Sequence, residues 1–138
     1  MNQIELHPLL PQEELVQYCK EHNIQVTAYS PLGNNRMPLY HCDWQKNWRL
    51  ELTLVAGKPK LTDYPALKEI AKRLGATPAQ VLIAWGAKRG YSVIPKSVQE
   101  ERIISNFKQI ELSDEDFKKV SAMGDGNHTR FVSPLYRS

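Results

Sequence analysis

Three side chains within residues 92–107 could do chemistry together: the ammonium of Lys96, the hydroxyl of Ser97 and the guanidinium of Arg102. A β-branched run, Ser92-Val93-Ile94, stops at Pro95, and apolar residues at Ile103, Ile104 and Phe107 mark a helix that restarts near Gln99. A strand, read as buried, thus feeds a helix. Lys96 and Ser97 fall in the turn between them and Arg102 one turn into the helix. Ligands of parallel sheets sit beyond the carboxyl ends of the strands, and a helix N-terminus presents unpaired N–H groups and a partial positive charge. Two cations and a hydroxyl gathered there make an anion site, with a phosphate as the expected guest. The spacing by itself also fits a solvated basic surface.

The elements that must position these groups read as follows. Residues 1–6 alternate polar and apolar side chains and stop at His7-Pro8, as a strand would. A helix is expected from about Pro11, with Glu13 and Glu14 in its positive first turn and Leu15, Val16, Tyr18 and Cys19 on the buried face. It ends near His22-Asn23, and residues 24–29 form the next strand. Residues 64–74 carry a helical stripe at Leu67, Ile70, Ala71 and Leu74, stopped by Gly75. Thr77 is placed as an N-cap and Pro78 as the first residue of a further helix, with Val81, Leu82, Ala84 and Trp85 inward and Gly90 closing it. Ser113 followed by three acids starts a last helix, running to about Met123, and residues 124–138 read as a loop. Strands alternating with amphipathic helices imply parallel β-α-β units, an α/β fold with three strands and two unpaired outer edges.

Composition narrows the function classes. With 41% apolar and 24% charged residues among 138, the chain is an ordinary globular domain. A net charge of +3 without a dense basic run gives no case for nucleic acid, and a cofactor phosphate pocket accounts for the excess. Cys19 and Cys42 show no CxxC spacing, so a reducing, cytoplasmic setting is expected. No apolar run reaches the roughly 18–20 residues of a membrane span, and no signal peptide follows Met1.

Ile94-Pro95-Lys96-Ser97-Val98, followed by Glu101-Arg102-Ile103 and Asn106-Phe107, resembles the last strand and helix of the aldo-keto reductases. That family comprises NADPH-dependent oxidoreductases on a (β/α)8 (TIM) barrel. The run from Asn2 through Gln3-Ile4-Glu5-Leu6 to His7-Pro8 resembles the sixth strand, and Ala28-Tyr29-Ser30-Pro31-Leu32-Gly33 the seventh, all in family order and closest to fungal relatives. The resemblance implies the C-terminal part of such a barrel: its last three β/α units plus a C-terminal helix and tail.

It also implies roles. Gln3 would hydrogen-bond the nicotinamide carboxamide, since an amide offers donor and acceptor together. Tyr29 would lie against the nicotinamide ring, and Ser30 and Leu32 would contact the pyrophosphate. Lys96 and Arg102 would bind the adenosine 2′-phosphate with Ser97 donating to it, which favours NADPH over NADH. Arg102 could also stack on the adenine, and Asn106 would reach the adenine amino edge. Ser105 departs from the family, which often has Glu there. Tyr29 would otherwise be a core aromatic, and Gln3 a strand-end residue bonded to backbone. His7, beside Pro8, is read as structural.

Catalysis in this family is hydride transfer to a small carbonyl substrate, with a Tyr proton donor tuned by a Lys, an Asp and a His. By the resemblance those four precede the sixth strand, so no catalytic residue is assigned here, no metal is implied and no reductase activity is expected of the chain alone. Two rival readings remain: a non-catalytic nucleotide-binding or interaction module that self-associates through its strand edges, and a truncated gene product that folds poorly. Arg130-Phe131-Val132 resembles the start of the family's substrate-contacting C-terminal loop.

Residues 36–55 are atypical. They hold Trp44 and Trp48, Cys42 and His41 without a sustained period. Codons for Arg36-Met37, Leu52-Thr53 and Val55-Ala56 can carry splice signals, so the insert reads as translated intron; a Trp-rich substrate loop at the barrel mouth is the alternative. Transcript reads across the junction separate the two. The intron reading expects spliced reads that skip the segment, and abundant peptides from within it would rule that reading out.

Overall fold

Alternation of side chains along the first two strands decides which face is covered. The computed structural model describes residues 1–33, 59–126 and 128–131, so the insert at 36–55 and most of the terminal loop lie outside the described residues. Strand β1 (Asn2–Glu5) pairs in parallel with β2 (Val26–Tyr29) through Asn2↔Val26, Gln3↔Thr27, Ile4↔Ala28 and Glu5↔Tyr29. Strand β3 (Ser92–Val93) adds to β2 through Thr27↔Ser92 and Ala28↔Val93, giving the order β1-β2-β3. The Ile94 amide donates to the Ala28 carbonyl at 3.2 Å and extends this pairing by one bond. Successive strand residues face opposite sides. One face therefore carries Asn2, Ile4, Val26, Ala28 and Val93, and the other Gln3, Glu5, Thr27, Tyr29 and Ser92.

The helices lie on the first face. Helix α1 (Glu13–Glu21) brings Cys19 within 3.7 Å of the Asn2 side-chain amide. Helix α2 (Pro65–Arg73) follows a short 3-10 turn (Leu61–Asp63), and α3 (Pro78–Lys88) packs so closely that a Cβ at Gly86 would stand 2.8 Å from Val93 Cγ2. After β3 come α4 (Glu100–Phe107), α5 (Asp114–Ser121) and a closing 3-10 turn (Ala122–Gly124). The core gathers Leu6, Val26, Ala28, Leu67, Ile70, Val81, Leu82, Trp85 and Val120, and neither β3 nor α4 adds a buried residue to it.

Capping follows the residues read from sequence. The Thr77 hydroxyl accepts from the Gln80 amide at 3.2 Å, and the Gln80 side-chain oxygen accepts from the Thr77 amide at 3.0 Å, a reciprocal box opening α3. Gln80 then donates to the Lys108 carbonyl at 3.2 Å, tying α3 to the chain after α4. Ser113 caps α5 by accepting from the Asp116 amide at 3.1 Å. Trp85 is buried, donates to Ser121 at 2.9 Å and carries the Arg89 guanidinium 4.9 Å over its ring.

Several expectations need correction. Helix α1 starts at Glu13, because Gln12 takes a left-handed conformation at φ 46° while its side chain donates to the Glu5 carbonyl at 2.5 Å. Cys19 is the buried residue of that helix and Val16 packs on the core, whereas Leu15 and Tyr18 are exposed. Each lies about 100° round the helix from the inward residue beside it. Tyr18 stacks on His22 instead, at 4.1 Å. The last helix tightens into its 3-10 turn at Ala122 before reaching Met123. Strand β3 is not a buried strand: Ser92 is exposed and Ile94 is 45% exposed. Helix α4 has no buried residue, and Phe107 is 90% exposed. Periodicity shows that a helix has an apolar face; it does not show that the described residues cover it.

Arg73, at the C-terminal end of α2, pairs with Asp116 in the first turn of α5, so each charge also complements its helix dipole. That hydrogen bond from Arg73 chiefly, and another from Ser113, hold the Asp116 carboxyl below its usual 3.8, against the opposing cost of burial. A depressed folded-state pKa contributes stability that is present above the unfolded value and lost as pH falls through the folded one. Wild type should therefore melt above Asp116→Asn at pH 6 and converge with it below about pH 4. Thermal melts across that range check this; a constant gap would contradict it.

Candidate functional site

Parallel pairing brings the ends of all three strands to one rim, where the segments after Glu5, Tyr29 and Val93 emerge. On the polar face, the rung Gln3, Thr27, Ser92 lies one step below the rung Glu5, Tyr29. Gln3 and Tyr29 thus share a face, diagonal to each other across β1 and β2. Gln3 and Ser92 are exposed, Tyr29 is half-buried and Thr27 is buried.

The chain leaves β2 through a tight turn. Ser30 sits at φ 49° and Gly33 at φ 66°, and the Gly33 amide donates to the Ser30 carbonyl at 2.9 Å. A left-handed conformation is unusual for serine and persists only where its surroundings hold it. Gly33 has two reasons to be glycine: its positive φ, and a Cβ there would approach Phe131 Cε2 to 2.9 Å. Leu32, inside the turn, packs on the core.

After β3, Lys96 is exposed and Ser97 half-buried. The Ser97 hydroxyl accepts from the Gln99 amide at 3.1 Å, which shapes the entry to α4. Arg102 is exposed in the first turn of α4, and Asn106 lies one turn on along the same side of the helix. Glu100 and Glu101 share that first turn. They complement the positive end of the helix dipole. Across the sheet the order is therefore Gln3 on β1, then Tyr29 with the turn carrying Ser30 and Leu32, then Lys96, Ser97, Arg102 and Asn106 beyond β3. Two strand spacings, about 10 Å, separate β1 from β3.

A second group at this rim was not foreseen from sequence. Glu5 and His7 have fully buried side chains, with Glu5 Oε1 3.1 Å from His7 Nε2. The same oxygen accepts from the Phe131 amide at 2.6 Å, and Arg130 Nη1 lies 3.8 Å from Oε2. A carboxylate among the inward residues of a strand was the available signal; the 126-residue separation from Phe131 hid its partner. His7, read as structural, is buried with its Nε2 against Glu5. Among the described residues no cluster of three His, Cys, Asp or Glu could hold a metal, and no helix is long and apolar enough to cross a membrane.

Known proteins resemble this chain. The chain is 46% identical over 134 residues to a glycerol 2-dehydrogenase (NADP(+)) of Hypocrea jecorina, covering 96% of this chain and 37% of that protein. It is 41% identical over 131 residues to an aldehyde reductase of Saccharomyces cerevisiae, covering 95% and 35%. Among solved structures, the aldose reductase of Giardia lamblia superposes with a TM-score of 0.75 at 36% identity, over 97% of this chain and 40% of that one. The chain thus spans little more than a third of these relatives. The description of the matching family profile reads Aldo/keto reductase family, and the match takes in residues 1–125. This chain belongs to the aldo/keto reductase family.

Proposed function

We propose that the chain is the NADP(H)-holding C-terminal part of an aldo-keto reductase barrel, its last three β/α units. The observation that carries this reading is the order of groups along the rim. A dinucleotide laid across it meets an amide and an aromatic at one end, the tight 30–33 turn in the middle, and two cations at the other. When bound, the cofactor supplies a hydride for a small carbonyl substrate. Gln3 would hold its carboxamide, Tyr29 would lie against the nicotinamide, and Ser30 and Leu32 would meet the pyrophosphate. Lys96, Ser97 and Arg102 would hold the 2′-phosphate and Asn106 the adenine. Charge-assisted bonds to a dianion make NADPH the preferred form. The relatives' names, an NADP(+)-dependent dehydrogenase and an aldehyde reductase, support that cofactor and substrate class.

The family's Tyr, Lys, Asp and His match no position here, so this chain would bind cofactor without reducing a carbonyl. In a closed barrel every strand edge is paired and helices surround the sheet. That accounts for a β3 of two residues, and for an α4 whose Ile103, Ile104 and Phe107 stand uncovered. For the chain by itself, the same surfaces would favour self-association.

Calorimetric titration of the purified chain tests the reading. NADPH should bind saturably and more tightly than NADH, and Lys96→Ala and Arg102→Ala should each weaken NADPH about tenfold while changing NADH little. Equal affinity for both cofactors, or indifference to both substitutions, would sink it.

A further inference from the structure

Residues 128–131 cross back to the sheet rim and are pinned there at four points. The Thr129 amide donates to the Leu9 carbonyl at 2.8 Å, and Arg130 Nη2 donates to Gln12 Oε1 at 3.4 Å. Arg130 Nη1 approaches Glu5 Oε2, and the Phe131 amide donates to Glu5 Oε1. A buried carboxylate is costly unless charged partners and hydrogen bonds satisfy it. Glu5 meets that requirement through His7, two residues on, and through this remote segment. Segment and carboxylate therefore hold each other.

Pinning the Phe131 amide fixes where its ring goes. The ring lies 5.0 Å from the His7 ring and roofs Gly33 so closely that no side chain fits there. A Cβ at Gly33 would also stand 3.2 Å from Leu61 Cβ, so the turn is enclosed from two sides. Gly33 closes the turn in which Ser30 is held left-handed. Strain of that kind relaxes when the surrounding contacts are removed.

We propose that residues 128–131 form a strap, anchored on Glu5, whose Phe131 ring holds the 30–33 turn in the shape that receives the pyrophosphate and nicotinamide half of the dinucleotide. Glu5, His7 and Phe131 are then positioning residues: they act through the turn and touch no ligand. This rests on the function proposed above and adds to it. Lys96 and Arg102, beyond β3 on the far side of the turn, are independent of the strap.

Two ligands separate the halves of the site. NADP+ needs the turn, whereas adenosine 2′-monophosphate carries the 2′-phosphate and adenine with neither the pyrophosphate nor the nicotinamide half. In the full chain, Phe131→Ala should weaken NADP+ about tenfold and leave the 2′-monophosphate within about twofold. Phe131→Leu, which keeps an apolar roof, should recover most of the loss, and Glu5→Gln should follow Phe131→Ala. A variant that still melts cooperatively but binds NADP+ like wild type overturns the strap, as does one in which both ligands weaken together. If wild type binds neither ligand, the cofactor reading fails and the strap with it. If it binds both, and Lys96→Ala weakens both, the cofactor reading stands whatever Phe131 does.

Discussion

Parallel pairing of three short strands is the constraint on which the rest of the structure depends. It sends every strand end to one rim and sorts side chains by parity onto two unlike faces. Ile4, Val26, Ala28 and Val93 go to the helix side, where Cys19 and Gly86 meet the sheet. Gln3, Thr27, Tyr29 and Ser92 go to the other. A register slip of one residue in β2 would exchange its faces and bury Tyr29 under helices. Polar residues on a strand face that sits between helices and a ligand make sense; the same residues in a sheet covered on both sides would not.

Helices and rim are tied together by a few polar bonds of long sequence reach. Arg73 to Asp116 joins α2 to α5, Trp85 to Ser121 joins α3 to α5, and Gln80 to Lys108 joins α3 to the chain beyond α4. Each satisfies a buried or half-buried group that would otherwise be costly. Glu5 does the same at the rim. Helix α4 stands apart, with Arg102 on one side and an uncovered apolar stripe on another, so Arg102 rests on a helix with no buried residue.

Much of this was legible in the residues. Thr77-Pro78 and Ser113 declared their helix starts, since capping is local chemistry, and Leu67, Ile70 and Ala71 showed their face through period alone. What stayed hidden was non-local. Nothing near Leu15 or Tyr18 says that the inward arc of α1 is narrow, and nothing near Ile103 says that α4 goes uncovered. The left-handed Gln12 depends on a bond to Glu5, and the partner of Glu5 lies at the opposite end of the chain. The proposed cofactor track rests on resemblance, because the bare spacing of Lys96, Ser97 and Arg102 fits a solvated surface as readily.

The central claim is that one rim, read from β1 to β3, receives one dinucleotide. An amide-resolved NMR titration of the chain with NADP+ tests it most directly. The account predicts saturable shifts confined to the ends of β1 and β2, the 30–33 turn, and residues 96–106, all fitting a single dissociation constant. Shifts spread along α2 and α5, or none at saturating ligand in a folded chain, would contradict it.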